Sequence, residues 1–138
     1  MPHLFRRRSA TLLLLLSGLL GCRDATAPAA CDGKLDVLVS GGVTPIISWS
    51  PKCGISELAV FSEPAPFSAG EYESVVWAFT VSELTPIGPG VRYGRAPSGA
   101  NVSKAAQALR TGADYRVVVT YTVGGDGITA MGERIFHP

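Results

Sequence analysis

YRVVVTYTV, residues 115–123, is the stretch that decides the fold predicted from this sequence. Every residue in it except Arg116 is β-branched or aromatic, the types that fit the pleated surface of a β-sheet. One face of the predicted strand carries Val117, Val119, Tyr121 and Val123. The turn residues Gly124-Gly125-Asp126-Gly127 follow, which predicts a β-hairpin into a second strand over residues 128–136.

The preceding part of the chain is punctuated in the same way. Residues 75–82 alternate strictly, with Trp77 and Phe79 on one face, which predicts a half-buried strand. Shorter strands bounded by Gly, Pro or Ser are predicted over residues 35–39, 45–49, 55–61 and 91–93. Strands at such short intervals, with turn signals between them, indicate an all-β sandwich or barrel.

One segment favours a helix instead. Residues 101–110 lack strand alternation and predict a short helix, capped by Asn101 or Ser103 and ended at Gly112. A helix of about ten residues has little stability of its own, so its packing would have to hold it.

Two of these segments resemble fibronectin type III domains. LRTGADYRVVV, residues 109–119, is similar to the penultimate strand of that family, and ISWSP, residues 47–51, to its second strand. The resemblance implies a single immunoglobulin/fibronectin type III-like antiparallel β-sandwich. It also implies that Tyr115 is a tyrosine-corner residue, with a buried hydroxyl bonded to upstream backbone, and that Trp49 lies in the core.

The N-terminus has the proportions of an export signal. Arg6, Arg7 and Arg8 precede an apolar run over residues 10–20, which is too short to cross a bilayer as a permanent helix. Leu19-Leu20-Gly21-Cys22 resembles the lipobox of bacterial lipoproteins. The resemblance implies cleavage before Cys22, a thioether-linked diacylglycerol on its sulfur and acylation of the new amine. The alternative is an ordinary secretory signal cut near Ala27 or Ala30.

This interpretation divides the chain into a signal peptide over residues 1–21, a flexible tether over residues 22–30 and a β-sandwich domain over residues 31–138. Three of the 12 basic residues leave with the signal. The remaining chain then has more acidic than basic residues, because all 11 acidic residues follow Cys22. That balance argues against a nucleic-acid partner, which needs a basic surface.

The three cysteines fit the same interpretation. If Cys22 carries lipid, Cys31 and Cys53 remain as a pair, and an exported protein can form a disulfide between them. A hairpin of residues 35–39 with 45–49, turning at residue 42, would place 35 opposite 49. Extending that ladder outward places 31 opposite 53, within disulfide reach.

Residues for catalysis are scarce. The only histidine after the signal is His137, next to the C-terminus, where a catalytic imidazole would be poorly held. The cysteines and His137 do not make a zinc set, so we expect no metal and no cofactor. Candidate carboxylates for acid catalysis are Glu57, Glu63, Glu71, Glu73 and Glu83, and a solvated surface is the simpler interpretation. Four arginines that could share a face toward an acidic partner are Arg92, Arg95, Arg116 and Arg134.

We therefore expect a non-enzymatic binding or structural module in the cell envelope, attached to the membrane through Cys22. The domain would face the periplasm or cell exterior, with the outer membrane favoured because Arg23 is not the aspartate associated with inner-membrane retention. Its partner would be an envelope protein or a glycan. The alternative is a carbohydrate-binding or substrate-capture module that uses loop aromatics such as Tyr72 and Tyr93. Trp49 and Trp77 could also stack on sugars, but their place in apolar alternation favours the core. A small hydrolase relying on acids alone is a third hypothesis.

Overall fold

The computed structural model describes residues 27–63, 74–124 and 127–138. These residues form nine β-strands and no helix. The strands are β1 (Gly33–Lys34), β2 (Asp36–Val39), β3 (Ile46–Ser50), β4 (Glu57–Ser62), β5 (Ser74–Thr80), β6 (Val91–Arg92), β7 (Asn101–Lys104), β8 (Tyr115–Val123) and β9 (Gly127–Phe136). They form a six-stranded sheet in the order β1-β9-β8-β4-β5-β7 and a three-stranded sheet in the order β2-β3-β6.

One hydrophobic cluster draws its side chains from both sheets. The small sheet contributes Ile47 and Trp49, and the large sheet contributes the apolar faces of β4, β5 and β8. Trp77 is 1% exposed, and its ring centroid lies 5.2 Å from that of Phe79 and 5.1 Å from that of Tyr93. The predicted all-β sandwich is confirmed, and both tryptophans belong to its core.

The predicted hairpin after residue 115 is also confirmed, since β8 and β9 pair antiparallel along their length. Val117 and Val119 are fully buried, as the alternation predicts. Val123, on the same predicted face, is half exposed because it ends β8 beside the turn. Of the predicted turn residues, Gly125 and Asp126 lie outside the described part of the chain.

A β-bulge interrupts the alternation of β5. Val60 on β4 opposes Trp77, but the next β4 residue, Phe61, opposes Val75. Val76 is therefore the extra residue, and it turns into the core while Val75 turns outward. Strict alternation would place Val75 on the buried face of Trp77 and leave Val76 exposed, the reverse of what is observed.

The helix predicted over residues 101–110 is wrong. Asn101–Lys104 is the edge strand β7, which pairs with β5. Beyond β7, the backbone amide of Gln107 donates to the carbonyl of Val76. Leu109 is the one buried apolar side chain of the segment. Backbone pairing with β5 therefore determines the local structure.

The β2–β3 hairpin forms, but in a register two residues away from the predicted one. The prediction places Leu35 opposite Trp49, whereas the structure places Val37 there. The turn is longer than predicted because Ser40 and Ile46 exchange two hydrogen bonds across it. The Ser40 amide donates to the Ile46 carbonyl, and the Ile46 amide donates to the Ser40 hydroxyl. The β2–β3 pairing therefore ends at Val39 and Ile47, before the turn that Gly41 and Gly42 predict.

The chain crosses from one sheet to the other between β1 and β2. β1 pairs with β9 at the edge of the large sheet, in the parallel sense, and the chain then passes through Leu35 into β2 of the small sheet. The Leu35 amide donates to the carbonyl of Met131, 2.9 Å away. Only Leu35 separates β1 from β2, so β1 must run in the same direction as β2. This edge pair departs from the otherwise antiparallel pairing that the sequence predicts.

Gly132 on β9 allows this crossover to approach closely. A Cβ atom at position 132 would lie 2.6 Å from the carbonyl oxygen of Leu35 and 2.8 Å from Cγ2 of Val37. Both distances are shorter than nonbonded atoms tolerate, so a side chain here would displace the crossover.

Tyr115 has the environment that the family resemblance implies. It is 5% exposed, and its hydroxyl oxygen accepts a hydrogen bond from the backbone amide of Arg110, five residues earlier, at 3.0 Å. Its ring stacks on Phe136, with centroids 5.8 Å apart. The prediction of a buried, hydrogen-bonded tyrosine is confirmed, and the bond holds the chain that leads into β8.

Replacing Tyr115 with phenylalanine tests this bond. Tyr115→Phe keeps the ring on Phe136 but leaves the Arg110 amide without its acceptor, so the free energy of unfolding should fall by about 1–3 kcal/mol. Chemical denaturation of the parent and variant measures the difference. A change of no more than a few tenths would show that the hydroxyl contributes nothing to the fold.

Candidate functional site

Cys31 and Cys53 form a disulfide with their Cα atoms 4.9 Å apart, so the predicted pairing is confirmed. The predicted route to it is wrong, since in the observed register the β2–β3 ladder does not oppose these two positions. Residues 29–31 instead lie parallel to Gly54. The Gly54 amide donates to the Ala29 carbonyl at 2.6 Å, and the Cys31 amide donates to the Gly54 carbonyl at 2.9 Å.

Gly54 is packed too tightly to carry a side chain. A Cβ atom there would lie 2.6 Å from Cβ of Pro86 and 3.2 Å from Cγ of Pro28. Residues 28–30, which the sequence assigns to the tether, therefore lie against the domain before the disulfide is reached. Cys22 and the predicted signal precede residue 27 and lie outside the described residues.

We call this end of the sandwich the Cys31 end. It comprises residues 27–31, the turn 51–56, the loop 81–88 and the adjoining ends of β8 and β9. Ile55 and Ile87 exchange two backbone hydrogen bonds, of 2.9 and 3.0 Å, which hold the loop against the turn. Glu83 joins the loop to the β8–β9 hairpin, because its carboxylate accepts from the amide of Gly124 at 2.9 Å. The disulfide, the loop and the hairpin therefore form one continuous set of contacts.

Three of the four aromatic side chains considered as sugar platforms are core residues, as expected for Trp49 and Trp77. Trp49 and Trp77 are buried, and the indole nitrogen of Trp49 donates to the carbonyl of Cys53 at 2.8 Å. Tyr93 is also buried, and its hydroxyl donates to the carbonyl of Gln107 at 2.7 Å. Tyr72 lies outside the described residues. A ring in the core has no free face for a sugar, so these positions argue against the carbohydrate-binding alternative.

The described ionisable groups lie mostly on the surface. Nδ1 of His137 is 2.7 Å from Oδ1 of Asp114, and both side chains are well exposed. Arg116 pairs with Glu63 at 2.7 Å and with Glu133 at 3.1 Å. Charges paired this way on a surface contribute little to stability.

The four arginines considered for an acidic partner do not share a face. Arg116 on β8 opposes Ile135 on β9, so the neighbouring Arg134 belongs to the opposite face of that sheet. Arg92 belongs to β6 in the other sheet. The guanidinium of Arg116 lies 5.0 Å from the ring centroid of Phe61, a cation–π contact on the outer face of the large sheet.

Two of the candidate carboxylates line the same surface cavity. Glu57 and Glu83 border a space of about 220 Å³ at the Cys31 end, and both are exposed. Each already accepts a hydrogen bond, Glu57 from the Thr120 hydroxyl at 3.4 Å and Glu83 from the Gly124 amide at 2.9 Å. Exposed carboxylates that already accept hydrogen bonds from the domain are typical of a solvated surface. Glu71 and Glu73 lie outside the described residues.

Within residues 27–63, 74–124 and 127–138, no three His, Cys, Asp or Glu side chains are placed to hold a metal ion. The same residues contain no helix long and apolar enough to span a membrane. No protein-family model, curated protein or solved structure matches the chain. The described domain is thus an all-β sandwich whose N-terminal segment is closed onto it by a disulfide.

Opening the disulfide should destabilise the domain. The two cysteines are 22 positions apart along the chain. The double variant Cys31→Ala/Cys53→Ala should therefore lose about 3 kcal/mol of stability, because the unfolded chain regains the entropy of an open loop. Denaturation of the variant measures this loss. Reduction of the parent is the matched control, since it opens the bridge without removing either sulfur. A double variant as stable as the parent would contradict the prediction.

The interior position of Tyr93 predicts a pH effect. Burial, together with the nearby Tyr115, raises the pKa of Tyr93 to about 12, whereas an unfolded tyrosine titrates near 10. Between these values the folded state keeps a proton that the unfolded state has lost. The stability that this group contributes is therefore complete below pH 10 and lost as the pH rises toward 12.

Absorbance of the phenolate during an alkaline titration should show a late-titrating step from Tyr93 in the native protein. The variant Tyr93→Phe should lack that late step. Titration of every tyrosine near pH 10 in the folded parent would place Tyr93 at the surface.

Proposed function

We propose that this chain is a lipid-anchored protein of the bacterial cell envelope whose β-sandwich is a non-enzymatic binding or structural module. In this proposal residues 1–21 are removed, Cys22 carries the lipid, and the domain faces the periplasm or the cell exterior. The partner of the domain is an envelope protein, since the burial of Trp49, Trp77 and Tyr93 weighs against the other expected partner, a glycan.

The observation that carries the proposal is the pairing of the cysteines. The sequence has three, and Cys31 and Cys53 are bonded to each other. Cys22 therefore has no cysteine of its own chain with which to pair. Unpaired cysteines are unusual in exported proteins with structural disulfides, and thioether linkage to lipid gives Cys22 a use. Its position, directly after Leu-Leu-Gly and a short apolar run, supports the same assignment.

The way in which the chain joins the domain is consistent with a membrane anchor. Pro28, Ala29 and Ala30 contact the turn at Gly54 just before the disulfide. An anchor attached at Cys22 would therefore join a covalently closed corner of the sandwich rather than a free strand end.

The family resemblance gains support from the strand order. The chain passes from β3 in the small sheet to β4 in the large one, returns from β5 to β6, and then completes the large sheet with β8 and β9. Crossing between sheets in this way is typical of Greek-key, immunoglobulin-like sandwiches. The buried Trp49 and the bonded Tyr115 occupy the places that the resemblance implies.

A non-enzymatic role is supported by what the described polar groups do. The buried polar residues Ser56 and Thr120 serve the sheet, since the Ser56 hydroxyl accepts from the Thr122 amide at 3.0 Å and the Thr120 carbonyl accepts from the Ser56 amide at 2.9 Å. His137 is exposed and paired with Asp114. No arrangement of nucleophile, base and orienting group occurs among these residues.

Metabolic labelling tests the anchor. In a bacterial host, labelled fatty acid should enter the full-length chain, and Cys22→Ser should abolish the incorporation because the acceptor sulfur is lost. Cys31→Ala/Cys53→Ala is the matched control, and it should label normally. Undiminished labelling of the Cys22→Ser variant would exclude lipid attachment at this residue.

Fractionation of the same cells tests the location. We propose the outer membrane, because Arg23 follows the lipidated cysteine where an aspartate is associated with inner-membrane retention. The labelled protein should therefore separate with outer-membrane markers. Recovery with inner-membrane markers would overturn this assignment without affecting the anchor itself.

A further inference from the structure

Three large apolar side chains project from the Cys31 end. Leu84 is 85% exposed, Val123 is 51% exposed and Ile128 is 61% exposed. They surround one set of contacts, because Glu83, next to Leu84, accepts a hydrogen bond from Gly124, next to Val123. Ile128 opposes Thr122 across the same hairpin, so it lies on the face of the sheet opposite to that of Val123. Exposed apolar side chains on both faces at the end of one hairpin, and on the loop bonded to it, indicate a surface that meets something other than water.

The chain reaches the domain at this same end. The loop that carries Leu84 also carries Pro86, which packs beside Gly54, as Pro28 of the N-terminal segment does. On the other side, the hydroxyl of Thr129, next to Ile128, contacts the carbonyl of Cys31 at 3.5 Å. The apolar side chains and the N-terminal segment are thus neighbours through both the loop and the hairpin.

The length of the preceding chain limits the distance to any anchor. Ala27, the first described residue, is five positions after Cys22, so five Cα–Cα steps join the two. Even fully extended, such a segment spans no more than about 18 Å. If Cys22 is held at the surface of a bilayer, the Cys31 end cannot move far from that surface.

We propose that Leu84, Val123 and Ile128 insert into the interfacial region of the bilayer that holds the lipid on Cys22. This inference rests on the proposed lipid anchor and adds an orientation to it. The Cys31 end faces the membrane, and the opposite end, where β8 begins at Tyr115, points away. Burial of apolar side chains among headgroups and upper acyl chains drives the contact.

Apolar burial rather than charge is the basis of this contact. Exposed residues of both signs, Lys52 and Glu83, lie at the Cys31 end. They form no basic patch that would attract anionic lipid. The depth of insertion should therefore change little with ionic strength.

Val43 provides a matched control for the test. It lies in the turn between β2 and β3, at the end of that hairpin opposite to the Cys31 end, and it is 49% exposed, close to the value for Val123. An apolar residue of the same type and exposure is thus available at each end of the domain.

The experiment uses the full-length lipidated chain in vesicles of phosphatidylethanolamine and phosphatidylglycerol with brominated acyl chains. Leu84→Trp, Val123→Trp and Val43→Trp are compared after subtracting the parent, whose Trp49 and Trp77 are buried. Emission from Leu84→Trp and Val123→Trp should be blue-shifted and lose most of its intensity, severalfold more than emission from Val43→Trp. Two reporting positions keep the test valid should either substitution disturb the fold.

Flotation of the same vesicles separates this inference from the anchor. A lipidated protein that floats with the vesicles, but is quenched equally at all three positions, would overturn the orientation and leave the anchor in place. Failure to float, with no lipid incorporated, would overturn both. A blue shift of Leu84→Trp emission that appears without vesicles and grows with protein concentration would assign the surface to a second copy of the chain, and would also overturn the proposal.

Discussion

The sandwich depends on one close approach, between the backbone of Leu35 and the α-carbon of Gly132, where no side chain fits. At this point the chain leaves the edge of the six-stranded sheet and begins the three-stranded one. The crossover makes one short segment, β1 and β2, an edge strand of each sheet in turn. It brings Leu35 and Val37 into the core. It also fixes where the preceding residues meet the domain. The pairing of residues 29–31 with Gly54, and the disulfide beside it, follow from that placement.

Much of this fold could be predicted from residue types alone, because a strand buried on one face repeats every two residues. That rule identifies β8 and most of β5. It does not foresee the bulge at Val76, which depends on how β4 pairs with β5 rather than on either sequence. The exposed strand β7 shows the same limit, since its pairing partner decides its conformation and its own side chains are all exposed. Local pattern therefore predicts the elements that form the core and fails at the sheet edge and at irregular pairings.

The candidate site was also predictable only in part: the disulfide could be predicted, and the geometry around it could not. With Cys22 assigned to lipid, the cysteine count leaves Cys31 and Cys53 as a pair, and the disulfide between them is confirmed. The hairpin geometry offered for it is wrong, because hydrogen bonds between Ser40 and Ile46 lengthen the turn and shift the register. Leu84 has no periodic signal in its Pro- and Gly-rich loop, so only the folded chain reveals its neighbours. Surfaces assembled from separate loops are set by tertiary contacts, which composition and spacing do not encode.

The disulfide has a mechanical consequence. Force applied to the chain before residue 31 is transmitted from Cys31 directly to Cys53 through the disulfide. Because β1, β2 and β3 lie between these two cysteines in the chain, they do not have to carry that force. The load then enters β4, which is hydrogen-bonded on both sides, to β5 and to β8. Strands flanked on both sides must shear many hydrogen bonds at once before they move. Tension arriving from the N-terminal side is therefore borne by the middle of the large sheet, while the small sheet, which is joined to it mainly by side-chain packing, is shielded.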